Sequence, residues 1–487
     1  MNISERGNLT VGSPGKKLIA FAVPIIIINL MQAVYNVADM VIIGHFVGAA
    51  GMSAVSIGGQ ITTVVLVVIV AIANGAAAII GQNFGAGNAD AIGRTLRVMY
   101  SLAMIVALAL TAVVICFASP ILRFLNTPAE SFDGAVSYLN ICMAGTVFVY
   151  TYNCFYAVLR GIGESVVPMK IMLLTTVENI ALDLVFVAVL EMGAAGAAAA
   201  TVISQLTSAA LISRNVCRLG YYRFGRDGFS LEQEPLGALM RLCAPQVVQM
   251  VLTNSSFMLI GGLINYFGVN ASAAAGAVTK IWNFTVLAGQ AMMAAMITMT
   301  AQNYPRKAYK RILKALGAGC MLVTAVAAVI TLLCELSPEW MLSLFTDEQA
   351  VIESGIRYLR FFAIGFIVEN IMFCMFGTLT GAGHTMVPFC CAVISAYLVR
   401  YLLAWVFSRM TALGFDVVRP GGTFYLFPKA LESDAAAFSR KALPYGLILV
   451  PSDSFGLPGY FRIAFCTDTE KVVRSIDAFK AFVKAEY

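Results

Sequence analysis

The sequence predicts an all-α polytopic membrane protein that ends in a short α+β tail. Hydrophobic residues make up 60% of its 487 residues, charged residues only 12%, and the mean hydropathy is +0.83. Soluble domains carry about twice that share of charge. Eleven apolar segments between residues 17 and 408 reach the roughly 20 residues that a membrane-crossing helix needs. The polar N-terminus runs directly into the first segment, so we expect no cleaved signal.

The loops between these segments predict the orientation. The segments are centred near residues 30, 67, 106, 147, 178, 203, 252, 287, 323, 368 and 397. Basic residues cluster in alternate loops, at 94–97, 214–226 and 306–314, and near the N-terminus, whereas the loop at 335–357 is mostly acidic. Basic loops stay in the cytoplasm. We therefore predict a protein of the plasma (inner) membrane with its N-terminus on the cytoplasmic side. We interpret the net charge of +6 as a consequence of this loop bias rather than as a nucleic-acid-binding surface.

The chain also repeats itself. RGIGESVVP at 160–168 recurs as TGAGHTMVP at 380–388, an offset of 220 residues, and GQNFG at 81–85 pairs with AQNYP at 301–305 at the same offset. Two halves of similar hydropathy are typical of transporters whose halves are related by an axis normal to the membrane. We therefore expect binding sites inside or between the halves.

Asp39 and Asp183 are carboxylates inside predicted spans. In the second copy their positions hold Ile260 and Leu403, so the acids occur in one half only. A carboxylate at the centre of a span costs roughly 2.5 to 3.5 kcal/mol and should face protein or a watery cavity. Asn179 lies four residues before Asp183 and shares its helical face, whereas Glu178 points about 100° away.

If Asp39 and Asp183 lie in one low-dielectric cavity, as the family resemblance described below implies, they cannot both ionise cheaply, and we then expect the pair to titrate jointly. Binding of a proton or Na⁺ would then act as a switch. An alternative stays open, in which these polar groups only join helices by hydrogen bonds.

The cysteines predict no metal site. The eleven cysteines are single or form the adjacent pair Cys390 and Cys391, without CxxC spacing or a neighbouring histidine. We interpret them as small apolar residues.

Five motifs together resemble one family: QAVYNVAD at 32–39, GQNFGAGN at 81–88, RGIGES at 160–165, ENIALD at 178–183 and GAAGAAAAT at 193–201. Over about residues 15–408 the chain resembles multidrug and toxic compound extrusion (MATE) transporters, particularly the branch grouped with DinF. The resemblance implies two six-helix bundles in twofold arrangement, H⁺- or Na⁺-driven export of organic cations or drugs by alternating access, and a monomer surrounded by membrane lipids.

The family's cation-responsive cluster falls on Gln32, Tyr35, Asp39, Tyr138, Asn179, Asp183 and Thr201, and Pro24 matches the proline at which the first helix bends.

A second branch of that family uses acids on helices 7 and 10. The helix 7 position falls at Thr253, which is no acid, whereas Glu369 matches the helix 10 carboxylate. We predict Glu369 as a drug or cation site. The alternative is an acid whose hydrogen bonds only join helices.

The chain changes character after residue 408. Charged residues number 17 in the 74 positions from 414 to 487, against 41 in the first 413, and no further span follows. Segments 411–429 and 445–466 resemble the C-terminal small domain of class I pyridoxal-phosphate aminotransferases, in which Arg462 would grip the substrate carboxylate. The chain lacks the large domain with the cofactor lysine. We therefore expect no enzyme and no pyridoxal phosphate binding, and interpret the tail as the remnant of an accidental fusion.

Four regions result: an N-terminal bundle at 1–213, a cytoplasmic linker at 214–236, an incomplete C-terminal bundle at 237–408 without the twelfth helix, and an aminotransferase fragment at 409–487. The predicted function is cation-coupled efflux. Two alternatives stay open: an exporter of lipid-linked precursors from the same superfamily, and a membrane-anchored aminotransferase-like module.

Overall fold

The computed structural model describes residues 7–225, 228–265, 269–412, 417–418, 425–452, 458–464 and 469–487. Within these ranges ten helices are long and apolar enough to cross a membrane, and eleven spans result if one bent pair counts as a single span. All eleven predicted centres fall within these spans, which confirms the predicted polytopic architecture. Arg6 and Arg226 of the predicted basic loops lie outside the described residues.

The helices of the first half alternate along the chain with short loops. They are α1 Pro14–Phe46, α2 Ala49–Ala86, α3 Ala89–Cys116, α4 Ala118–Phe124, α5 Ala129–Ala144, α6 Thr146–Gly161, α7 Val166–Asp183 and α8 Gly193–Arg218. A π-helical turn, Leu184–Val189, continues α7 directly after Asp183. Such turns within α-helices often occur at functional sites.

The second half follows a similar order. Its helices are α9 Gln233–Asn265, α10 Val269–Asn303, α11 Tyr309–Leu336, α12 Pro338–Ser343, α13 Gln349–Gly381, α14 Met386–Val393 and α15 Leu402–Ala412, with a π-helical segment, Ile394–Tyr401, between the last two.

Local sequence explains the helix ends. Pro14 starts α1, where its missing N–H costs no hydrogen bond. Gly87 ends α2 with a φ of 79°, and its N–H donates to the carbonyls of Asn83 and Phe84. The Asn88 side chain then caps α3 by accepting from the N–H of Ala91 at 3.1 Å. Two residues thus suffice to reverse the chain.

The fourth span differs between the halves. In the first half it consists of α5 and α6, which meet at an angle of 44° around Gly145. Gly145 packs against the side chain of Val202 in α8, so a side chain there would have no room. The aligned Gly365 lies inside the unbroken α13, with open space around its Cα. Both halves have glycine at this position, but only Gly145 is packed against a neighbouring helix. We therefore attribute the bend to this packing rather than to the glycine itself.

Residues 1–251 and 273–391 form one compact unit. Its largest core lies within the first bundle and includes Ile69, Tyr150 and Phe155. A second core joins the halves, where Leu18, Phe21 and Ile25 of α1 pack with Met292 and Met296 of α10.

Residues 252–272 and 392–487 form a second unit. It contains an antiparallel sheet of four strands, β1 Val417–Val418, β2 Tyr425–Pro428, β3 Val450–Pro451 and β4 Phe461–Ala464, in the order β1-β2-β4-β3. Two helices, α16 Ala435–Ala442 and α17 Thr469–Glu486, cover a core of Phe438, Phe461, Phe479 and Phe482. The tail therefore has the predicted mixture of strands and helices, whereas its descent from an aminotransferase stays a prediction.

Candidate functional site

Three side chains predicted from the sequence meet inside the first bundle. Asn179 lies between Asp39 and Asp183 and donates from Nδ2 to Oδ1 of Asp39 at 3.0 Å and to Oδ2 of Asp183 at 3.2 Å. In the reverse orientation its carbonyl oxygen would face only acceptors, so the donors point at the carboxyl groups. The two carboxyl groups therefore contact the same amide nitrogen. We refer to these three residues as the acid cluster.

The acid cluster is shielded from solvent. Asp183 and Asn179 are fully buried and Asp39 is 7% exposed. Among the described residues no lysine or arginine forms an ion pair with either carboxyl group. Oδ1 of Asp183 is buried without a hydrogen-bond partner. Two buried carboxylates without a counter-charge are costly, so the site favours a proton or a small cation.

Two tyrosines border the acid cluster. The Tyr35 hydroxyl donates to Oγ1 of Thr201 at 2.8 Å, which joins α1 to α8. Tyr138 is buried near Tyr35 and Asp39, in a space that Gly58 leaves open, since a Cβ at position 58 would lie 2.6 Å from the Tyr138 ring. Tyr35, Thr201 and Tyr138 therefore surround the cluster as predicted, although their roles stay predictions.

Two other polar residues lie elsewhere. Glu178 accepts a hydrogen bond from Oγ1 of Thr207 at 2.8 Å and takes no part in the acid cluster, in agreement with its predicted direction. Gln32 is exposed, and no hydrogen bond joins it to the described residues of the cluster. The structure thus brings together six of the seven residues that the resemblance implied and leaves out Gln32.

Two faces of helix α1 have different surroundings. Tyr35 and Asp39 face the first bundle, whereas an open apolar cavity of about 340 Å³ is lined by Leu30, Ala33, Val34, Val37, Ala38 and Val41, together with Phe284 of α10. The helix runs unbroken through Pro24, which is buried between the contacts that Phe21 and Ile25 make with the second half. Because proline has no N–H, one backbone hydrogen bond of α1 is missing there. A bend at Pro24 would therefore move the cluster residues and the cavity wall together.

Glu369 lies in the second half, apart from the acid cluster. Its Oε2 accepts a hydrogen bond from Nε1 of Trp282 at 2.6 Å, and the side chain is half-buried. A carboxylate beside an aromatic ring suits an organic cation. The sequence reasoning missed Trp282, because tryptophan inside an apolar span carries no distinctive local signal.

Two glutamines join the halves reciprocally. Nε2 of Gln82 in α2 donates to the carbonyl of Gly381 at the end of α13 at 2.9 Å, and Nε2 of Gln302 in α10 donates to the carbonyl of Gly161 at the end of α6 at 3.0 Å. Gln82 and Gln302 are 220 positions apart, as are Gly161 and Gly381. The repeat therefore relates the two bonds, which we name the glutamine clasp. They lie at the helix ends next to the basic loops, the side predicted to be cytoplasmic.

An N-terminal strap, residues 7–13, reinforces the clasp. The Leu9 N–H donates to Oε1 of Gln302 at 2.9 Å, and the carbonyl of Leu9 accepts from Nε of Arg311 at 3.0 Å. Gly7 lies against the backbone of Gly163, where neither residue has space for a Cβ. The strap therefore contacts both halves.

Arg160 supports the same region and was not singled out from the sequence. It is buried, and its Nη2 donates to Oδ1 of Asn74 at 2.7 Å, while its guanidinium lies 5.3 Å from the centre of the Tyr156 ring. These contacts hold the end of α6, which presents the carbonyl of Gly161 to the clasp. The repeated motif was the available signal, since Arg160 opens RGIGESVVP.

In the second unit, Arg462 lies in β4 opposite Val450 of β3 and is half-buried. It is therefore part of the small sheet. Whether it could hold a carboxylate stays a prediction. Among the described residues no group of three or more histidines, cysteines and acids could hold a metal ion.

Comparisons with known proteins identify the family and the fold. A family model described as MatE matches residues 24–185 and 245–406. The chain is 24% identical over 401 residues to "Probable multidrug resistance protein YoeA" of Bacillus subtilis, covering 81% of this chain and 87% of the relative. It is 25% identical over 413 residues to "Probable multidrug resistance protein NorM" of Thermotoga maritima, covering 82% and 87%. A solved structure of a MOP superfamily transporter from Pyrococcus furiosus has a TM-score of 0.77 at 20% identity, covering 83% of this chain and 91% of that one, and shares the fold.

Proposed function

Because this chain belongs to the MatE family, we propose that it exports organic cations or drugs from the cell by H⁺- or Na⁺-coupled alternating access. As a member of that family it is a multi-pass membrane transporter and not an enzyme. Its relatives are named as multidrug resistance or export proteins. We further propose that it works as a monomer in the plasma membrane, in the branch grouped with DinF, and that its tail is an inactive remnant that binds no pyridoxal phosphate.

The acid cluster carries this proposal. Asp39 and Asp183 share one buried site, and among the described residues the hydrogen-bond donors to their carboxyl groups come from Asn179, so the site is short of positive charge. A proton or Na⁺ would supply that charge, and its arrival and departure would change which hydrogen bonds the cluster can make. The oxygen atoms of this site can bind either H⁺ or Na⁺.

Helix α1 would transmit the change to the substrate. Tyr35 and Asp39 lie on one face of α1 and the apolar cavity lies on the other. Binding of the coupling ion would rearrange the first face, bend the helix at Pro24 and reshape the cavity. A cavity of about 340 Å³ falls within the usual range for small-molecule sites.

The glutamine clasp and the strap support the alternating-access part of the proposal. The clasp and the strap join the two halves at the helix ends next to the basic loops. The apolar cavity lies farther along α1, at residues 30–41. The structure thus fits the state that is closed towards the cytoplasm, and breaking the clasp would allow the opposite state.

The lining of the cavity distinguishes the alternatives. All of its lining residues are apolar, and none is basic. An exporter of lipid-linked precursors would need basic residues in this cavity beside α1 itself, to bind the phosphate groups of its substrate. The apolar cavity therefore favours drugs and hydrophobic cations.

The proposal is tested by replacing each acid with its amide. Asp39→Asn and Asp183→Asn should abolish ion-driven efflux of ethidium from cells at normal expression, because the amide keeps polarity but cannot bind the coupling ion. The double variant should be no worse than either single one, since both changes remove the same function. Glu178→Gln is the matched control, because it makes the same change one residue from Asn179 but outside the cluster, and it should keep most of its efflux. Full efflux by Asp39→Asn would refute the role of the cluster.

A further inference from the structure

A groove on the first bundle lies outside the acid cluster and the apolar cavity. It has a volume of about 450 Å³, and its apolar lining includes Val147 and Phe148 of α6 and Leu206, Ala209 and Ala210 of α8. Arg214 of α8 lies at one end. The groove is open, and Leu206 and Ala210 are exposed, so its occupant must come from the surroundings of the protein.

The depth of the groove matches one leaflet of a bilayer. Arg218 ends α8 at the basic-loop side, and Leu206 lies twelve residues earlier. At 1.5 Å per residue this is about 18 Å, compared with roughly 15 Å for half of a 30 Å hydrocarbon layer. The groove therefore extends from the cytoplasmic headgroup level to about the middle of the membrane.

The charge at its mouth is not neutralised within the described protein. Arg94 and Arg97 in the neighbouring α3 form ion pairs with Glu234 at 3.5 Å and Glu232 at 3.7 Å. In contrast, Arg214, Arg218 and Arg223 are exposed, and no ion pair involves them in the described part of the chain. Arg214 lines the apolar groove, and Arg218 lies four residues later on the same face of α8, so two exposed guanidinium groups are available to a phosphate.

Aromatic residues complete the mouth. Phe224 and Phe229 are 57% and 55% exposed, and their rings lie 6.3 Å and 5.6 Å from that of Tyr100. The Ser230 N–H donates to Oγ of Ser101 at 2.9 Å, which fastens this loop to α3. Exposed aromatic rings at headgroup level are typical of membrane proteins.

We propose that this groove binds one anionic glycerophospholipid of the cytoplasmic leaflet, with an acyl chain along α6 and α8 and the phosphate at Arg214, next to Arg218 on the same helix. Basic pockets between transmembrane helices on the cytoplasmic side bind anionic headgroups in this way. The lipid would also cover Phe224 and stabilise the loop that connects the two halves. This site is independent of the coupling mechanism.

The test uses the full chain, delipidated in mild detergent and mixed with equal amounts of phosphatidylglycerol and phosphatidylcholine. Native mass spectrometry should show a preference for phosphatidylglycerol in the wild type, reduced about fivefold by Arg214→Gln, since a basic residue near an anionic headgroup contributes about that factor. Arg94→Gln, at an arginine already paired, should leave the preference unchanged. Ala210→Trp should reduce binding of both lipids by filling the groove.

Three results would overturn the proposal. Equal binding of both lipids by the wild type would remove the role of charge. An equal loss in Arg94→Gln and Arg214→Gln would show a general effect of surface charge. Tight binding of glycerophosphoglycerol, which has the headgroup but no acyl chains, would assign the arginines to soluble phosphates. None of these results would affect the efflux experiments on Asp39.

Discussion

The glutamine clasp predicts that Gln302 and Gln82 contribute unequally to closing the cytoplasmic side. The repeat makes them equivalent in sequence, and each donates to the glycine carbonyl at a helix end of the other half, while Gln302 also donates to the Gly7 carbonyl at 3.3 Å. Gln302, however, is fully buried and also accepts from the Leu9 N–H of the strap. Replacing each glutamine with methionine, which has a similar length, removes these bonds without creating a large cavity.

The magnitudes follow from the groups left unpaired. Gln302→Met leaves the Leu9 N–H and the Gly7 and Gly161 carbonyls without this partner, at about 1 to 3 kcal/mol for each buried group, or about 3 to 9 kcal/mol in all. Gln82→Met removes one half-buried bond, worth about 0.5 to 1.5 kcal/mol. Since 1.4 kcal/mol is a factor of ten, the open-to-closed ratio should rise about 100-fold or more for Gln302→Met and about 2- to 13-fold for Gln82→Met.

The ratio can be measured by double electron–electron resonance in proteoliposomes. Spin labels at Ala89 and Lys310, both exposed at the basic-loop end, report the separation of the halves. Because the chain has eleven cysteines, the labels should be attached through unnatural amino acids. The long-distance population should increase in the order wild type, Gln82→Met, Gln302→Met.

Gln60→Met provides the control, since Gln60 is an exposed glutamine on the same helix as Gln82. It should leave the distance distribution unchanged. A distribution for Gln302→Met identical to that of the wild type would refute the clasp as a closing element. A larger effect for Gln82→Met than for Gln302→Met would refute the assigned role of the strap.

The remaining predictions concern Glu369 and the tail. Glu369→Gln should reduce transport of cationic dyes far more than of neutral ones, because only the cations lose a charge partner; equal losses in parallel dye-efflux assays would indicate a structural or coupling role instead. The purified chain should show no absorbance band of an internal aldimine after incubation with pyridoxal phosphate, and a borohydride-trapped lysine adduct would contradict the remnant interpretation. With the N-terminus inside and eleven spans, a reporter fused after Tyr487 should register outside the cytoplasm, and a cytoplasmic signal would mean that the spans are miscounted.

The membrane-spanning architecture could be predicted from the sequence because a bilayer imposes a length and a polarity on each segment. For that reason each predicted centre falls within a span, including the centre near residue 147, which lies in the bent pair of α5 and α6. The same physical basis predicted that Asp39 and Asp183 must face protein or water, since carboxylates are costly in lipid. Their grouping in one cluster was implied by the family resemblance. Helical spacing also separated Glu178 from Asn179, and the structure gives Glu178 its own partner, Thr207.

The contacts between distant residues were decided only by the tertiary structure. The repeat aligns Gln82 with Gln302, but the alignment does not tell what either side chain contacts. Gln82 donates a hydrogen bond to the carbonyl of Gly381 and Gln302 to the carbonyl of Gly161, each in the other half. No local pattern reports such a contact, because its partners are separated by 299 and 141 residues and meet only when the helix ends pack. The partner of Glu369, Trp282, is likewise a product of packing. Spacing along one helix tells which side chains share a face, whereas the position of the neighbouring helix decides what that face contacts, which is why Asp39 lies in the cluster and Gln32 outside it.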